Sequence, residues 1–168
     1  MFDMFNEDTP TASYSSDSDT SGPSFSSSPL DLDKLYVISA GGSVFIKDEI
    51  NVAKIKQFCE LIDKFSALGN RFVIVIGGGK TARAYQEIAK ELGANNFELD
   101  SIGIEATKLN AMLFLKGIKN AYPNVIENTN KLKILVNNYT PILGGVTEGQ
   151  TTDAVAALVA EQLGGKFI

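Results

Sequence analysis

The 168-residue sequence has no histidine and a single cysteine, Cys59. Without histidine, the commonest general base and the commonest transition-metal ligand are both missing. One cysteine can form no intrachain disulfide; Cys59 falls in a stretch of helical pattern and reads as core filling, which suits a reducing cytoplasm. No run is apolar enough to span a bilayer, and the N-terminus lacks the basic-then-apolar form of a signal peptide. There is no basic block either: Lys+Arg 15 against Asp+Glu 20 gives a net charge of −5. That balance argues against nucleic acid or a membrane surface as partner. The length allows one domain with a core, or part of a larger one.

Residues 1–32 differ from the rest. Their serine-rich, acidic, aperiodic sequence cannot bury enough apolar surface to offset ordering entropy, and is expected to be a disordered tail. It could be phosphorylated, or meet a partner through Phe2, Phe5 or Phe25. A dispensable tail is the simpler reading.

The chain is organised around Arg71–Arg83, RFVIVIGGGKTAR. Phe72–Ile76 is an unbroken apolar run suited to a strand buried on both faces. Gly77, Gly78 and Gly79 stop it, and helical spacing follows from Lys80, with Tyr85, Ile88, Ala89 and Leu92 on one side. A turn from strand to helix exposes main-chain N–H groups at the positive end of a helix dipole, where a phosphate can sit. Lys80 and Arg83 oppose that dipole, so an anionic ligand explains them better than helix stability does; solvated basic residues on a structural turn are the alternative. The stretch is no P-loop, because Ile74 stands where that motif needs glycine. Gly77-x-Gly79-x-x-Ala82, with Asp100 downstream, fits a relaxed dinucleotide fingerprint.

Two further junctions have the same form. Leu35–Ser39 reads as a strand and runs into Gly41-Gly42-Ser43. A helix over Val52–Leu68 follows, with Ile55, Phe58, Cys59, Ile62 and Phe65 inward. Asp100 opens a long helical segment as either its cap or a ligand contact. Val125-Ile126 and Thr140–Leu143 are strand candidates, and Lys131–Asn137 is ambiguous. Gly144-Gly145 then leads through Val146–Thr151 into an apolar helix whose entry carries Thr151, Thr152 and Asp153. The order of elements predicts an α/β fold with a mostly parallel sheet sandwiched between helices. Ligands collect at the carboxyl ends of such strands. Three glycine turns there suggest a site that grips more than one phosphate.

The pieces Ser39–Phe45, Val75–Tyr85, Leu99–Ala111 and Pro141–Glu161, in this order and spacing, resemble the amino-acid-kinase superfamily, and within it the archaeal type of UMP kinase. The resemblance covers roughly residues 35–168 and favours a short helix at Lys131–Val136. It implies transfer of the γ-phosphoryl of ATP to UMP, magnesium accompanying ATP, and a homo-oligomer, typically a hexamer. By position it places Gly42 and Ser43 in the ATP phosphate turn, Gly78 on the UMP phosphate, and Gly79 and Arg83 on the ATP side. Asp100 would hold UMP, plausibly through its ribose hydroxyls. Val146, Thr147, Glu148, Gly149, Gln150, Thr151 and Thr152 would form the loop that wraps UMP, and Asp153 would orient the surrounding donors. Phosphoryl transfer needs alignment and charge neutralisation more than covalent chemistry. Arg83 and the glycine amides are therefore the expected electrostatic stabilisers, with no general base assigned.

The family continues well beyond Ile168, so the resemblance makes residues 33–168 the N-terminal, UMP-binding part of such a domain. Weak or absent kinase activity is expected from these 168 residues alone. The alternative is a non-catalytic nucleotide-binding module of the same fold; a carboxylate or carbamate kinase and a dinucleotide-binding domain are further readings.

Overall fold

A computed structural model describes residues 31–47 and 49–168. The serine-rich stretch and its phenylalanines therefore lie outside the described residues, apart from Asp31 and Leu32. Leu32–Lys34 forms a single 3₁₀ turn that leads into β1 (Leu35–Ala40). The order continues as a four-residue α1 (Gly42–Phe45), α2 (Val52–Ala67), β2 (Arg71–Ile76), α3 (Gly79–Glu91) and α4 (Asn96–Gly117). After a 3₁₀ turn at Thr129–Lys131 come α5 (Leu132–Leu135), β3 (Ile142–Leu143), α6 (Thr152–Leu163) and β4 (Lys166–Phe167).

The strands form one sheet in the order β3-β2-β1-β4, all parallel. β-branched and leucine side chains make that possible. Along β2, Val73 and Val75 face one layer while Phe72, Ile74 and Ile76 face the other, and all five are buried. A parallel sheet covered on both sides needs strands apolar on both sides. The first layer packs Leu35, Val37, Val73 and Val75 against Val155, Ala156, Val159 and Leu163 of α6. The second packs Ala40, Ile74 and Ile76 against α2 and α4. There Phe45, Phe58 and Phe114 meet edge-on with ring centroids 5.0–5.7 Å apart. Phe45 lies three residues after Gly42, so this aromatic cluster anchors the first glycine turn to the core.

Register fixes where the turns lie. Ala40 pairs with Ile76, and Val75 with Leu143. The carboxyl ends of β1, β2 and β3 therefore share one rim, and each glycine turn leaves from it.

Several expectations are corrected. Phe65 of α2 is 41% exposed, because the buried stripe of that helix is only Ile55, Cys59 and Ile62. On α3 the apolar stripe points outward: Tyr85, Ile88 and Leu92 are 64%, 59% and 83% exposed, and only Ala82 is buried. Leu109 and Met112 of α4 are exposed as well. Asp100 does not cap α4; Asn95 does, in a capping box with Glu98. The ambiguous segment is helical over Leu132–Leu135, and Ile126 forms an isolated bridge to Leu143. No described helix is long and apolar enough to cross a membrane.

Candidate functional site

The first two turns are in direct main-chain contact. A Cβ built on Gly42 would collide with the amide nitrogen of Gly79 and the carbonyl of Gly77, whose carbon would lie 2.6 Å away. Only glycine allows this approach. Gly79 is held from both directions: its φ is +58°, and a Cβ there would sit 2.8 Å from the Gly42 carbonyl. The Gly77 amide donates to Ala40 O at 3.0 Å and the Lys80 amide to Ile46 O at 3.3 Å, which ties the two turns together. The N-cap residue of α3 is Gly78, which has no side chain to cap it, in contrast to α6, where Thr151 Oγ1 accepts from the Ala154 amide at 3.1 Å. The α3 terminus thus presents its dipole to whatever lies in front of it.

The third turn is fixed from α4. Thr107 Oγ1 accepts from the Gly145 amide at 2.6 Å and donates to Ile104 O at 2.6 Å. A Cβ on Gly144 would come within 2.9 Å of the Lys108 amide nitrogen. One turn of helix further on, Asn110 Nδ2 donates to Gly77 O at 3.0 Å and Gly78 O at 2.9 Å. Both side chains are buried.

Loop 146–151 closes over the same rim and is held by the first half of α4. Asp100 Oδ2 accepts from the Gly149 amide at 2.8 Å, and Ser101 Oγ donates to Glu148 Oε1 at 3.1 Å.

Between these elements lies an open cavity of about 310 Å³. Gly42 and Ser43 line it from the first turn, and Gly78, Gly79 and Arg83 from the second. Asp100 lines it from α4; Thr147, Gly149, Gln150, Thr151 and Thr152 line it from the loop and the head of α6. Three of the residues expected at the site do not reach the lining. Val146 packs against the core beneath α6. The Glu148 carboxylate is turned to Ser101. Asp153 accepts from the Ser39 hydroxyl at the end of β1. The Arg83 guanidinium is exposed at the edge, and its Nε donates to Gly79 O at 3.3 Å.

Gly145 of the third turn also lines the cavity, as do Gln86, Gly103, Ile104 and Thr107, to which the sequence assigns no role. Thr107 and Asn110 carried a readable signal: two polar residues three apart on the helix face that holds Ala106, Ala111 and Phe114. The dinucleotide reading fails on position, since Asp100 stands on a helix and not at the end of the strand next to β2. Among the described residues no three His, Cys, Asp or Glu side chains gather as a metal cluster.

Two perturbed groups lie outside the cavity. Burial, aided by the nearby Asp63 charge, pushes the Cys59 thiol from 9.0 up to about 11. Lys108 is raised by hydrogen bonds to Glu105 and Glu127.

The sequence model of the amino acid kinase family matches residues 34–168. A uridylate kinase of Methanocorpusculum labreanum is 38% identical over 134 residues, which are 79% of this chain and 57% of that protein. One of Halorubrum lacusprofundi is 41% identical over 130 residues, 76% of this chain and 53% of the relative. The crystal structure of uridylate kinase from Archaeoglobus fulgidus superposes with a TM-score of 0.72 at 40% identity, covering 80% of this chain and 61% of that one. The chain thus spans a little over half the length of the curated relatives it matches.

Proposed function

Because the chain belongs to the amino acid kinase family, we propose that it provides the UMP site of a UMP kinase, which passes the γ-phosphoryl of ATP to UMP and supplies UDP for pyrimidine nucleotide synthesis. The observation that carries this reading is the convergence of three glycine turns, Arg83 and Asp100 on one cavity. Main-chain amides at the rim and the dipole of α3 receive the UMP phosphate. Asp100 offers a carboxylate for ribose hydroxyls; its Oδ2 already holds Gly149, and the other oxygen remains for the ligand. Arg83 neutralises charge as it spreads over the transferring group, and the fixed amides need no reorganisation when it does. Asp153, held by Ser39, supports the head of α6 from behind the cavity.

Magnesium arrives on the phosphates of ATP. An ion carried by the nucleotide keeps several waters and asks for one or two carboxylates at most. The exposed Tyr85, Ile88, Leu92, Leu109 and Met112 are the side chains on which a homo-oligomer contact is proposed, because exposed apolar faces often mark interaction sites.

Calorimetric titration of UMP into the 168-residue chain tests the reading before turnover is considered. One saturable site that UMP fills and uridine fills far more weakly supports it. Equal affinity for uridine and UMP contradicts a phosphate-gripping site.

A further inference from the structure

The cavity is bordered by turns that belong to different strands, and one helix face fixes the spacing of two of them. Asn110 carries the second turn by the carbonyls of Gly77 and Gly78, at 3.0 and 2.9 Å. Thr107 carries the third by the amide of Gly145, at 2.6 Å. The two residues are three apart, so they sit one above the other on α4. Both are almost fully buried, at 3% and 6% exposure, beside Ala106 and Ala111. A buried polar side chain in apolar surroundings costs free energy unless its bonds are made. Here those bonds go to main-chain atoms of the glycine turns rather than to other side chains.

We propose that Thr107 and Asn110 are positioning residues that set the separation and orientation of the second and third glycine turns, and through them the affinity for a phosphate-bearing nucleotide. With its carbonyls drawn toward α4 by Asn110, the Gly77–Gly78 turn directs the amides that follow away from the helix. With its amide spent on Thr107, Gly145 holds the start of the UMP loop against α4. Thr107 itself lines the cavity, yet its hydroxyl is committed to Ile104 and Gly145. The proposal rests on the reading of the cavity as a nucleotide site.

The test compares shape-preserving variants of the 168-residue chain. Thr107→Val and Asn110→Leu keep volume and remove the hydrogen bonds; Thr107→Ser keeps the hydroxyl. UMP affinity is measured by calorimetry, and ligand-free thermal stability by circular dichroism. The expected result is a tenfold or greater loss of UMP affinity in Thr107→Val and Asn110→Leu, with Thr107→Ser within threefold of wild type. Wild-type affinity in both apolar variants overturns the positioning role and leaves the nucleotide site standing. So does an equal affinity loss in Thr107→Ser and Thr107→Val, because the hydroxyl would then be irrelevant. If Asn110→Leu does not fold, the Thr107 pair decides alone. A wild-type chain that does not bind UMP overturns the nucleotide reading, and this proposal with it.

Discussion

The carboxylate of Asp100, in the second turn of α4, accepts a hydrogen bond from the amide of Gly149, 49 residues later, at 2.8 Å. This contact closes the loop before α6 onto the helix that also fixes the glycine turns, so a single helix organises three sides of the cavity.

Removing that carboxylate should loosen the loop and delete an acceptor for ribose. Asp100→Ala is expected to weaken UMP binding by one to two orders of magnitude, since hydrogen bonds to charged groups contribute about 1.5–3 kcal/mol. Proteolysis within loop 146–151 should become faster. Calorimetry and limited proteolysis check the two effects separately.

Arg83 has the opposite balance. Its side chain is exposed, its Nε donates a long 3.3 Å bond to Gly79 O, and a cation in the first turn of a helix opposes the dipole. Arg83→Ala should leave the ligand-free melting temperature unchanged or slightly raised. Nucleotide binding or phosphoryl transfer should fall at least tenfold. A large stability loss with nucleotide binding intact would return Arg83 to a structural role.

Gly42 and Gly41 are neighbours with different tolerances. A Cβ on Gly42 strikes main-chain atoms of Gly77 and Gly79 that cannot move without opening the sheet rim; on Gly41 the nearest atom is Val44 Cγ2 at 4.0 Å. Gly42→Ala should cost about 3 kcal/mol or prevent folding, at or above the usual range for overpacking. Gly41→Ala should lie within about 0.5 kcal/mol of wild type. Urea denaturation of the two variants gives the comparison.

Cys59 makes stability fall at alkaline pH. Its thiol rises from 9.0 in the open chain to about 11 in the fold, so the folded state holds the proton more tightly. That contribution is complete below pH 9 and is lost as pH climbs toward 11. Between pH 8 and pH 10.5 the wild type should lose more stability than Cys59→Ala, as read by urea midpoints. The native thiol should also react slowly with a disulfide reagent at pH 8, because so little thiolate is present.

Much of the fold was legible because its strands are short apolar runs with glycine stops. Phe72–Ile76 could hardly be anything but a strand buried on both faces, and the three junctions followed from it. What the sequence could not show is what covers a face. Tyr85, Ile88 and Leu92 have core-like spacing on α3, yet they are exposed, since periodicity tells which residues point together and not what they meet. Asp100 was open between cap and ligand contact; the Asn95-x-x-Glu98 pair five residues earlier is a capping-box signature that could have settled the cap. Val146, Glu148 and Asp153 belong to the loop and its helix by position, but their side chains turn to the core, Ser101 and Ser39. Rotation about a backbone is not written in a motif. Thr107 and Asn110 stand out as polar residues on an apolar helix face, but which turns they hold shows only in the fold.

The central claim is that the turns after β2 and β3 and the loop before α6 grip UMP. Titration of UMP into the ¹⁵N-labelled chain, followed by amide chemical shifts, tests it most directly. The account predicts saturable shifts at Gly78, Gly149, Gln150 and Thr151, all of which line the cavity, with a common affinity. Unmoved signals at these four positions, or shifts confined to the apolar face of Tyr85 and Leu109, would contradict it.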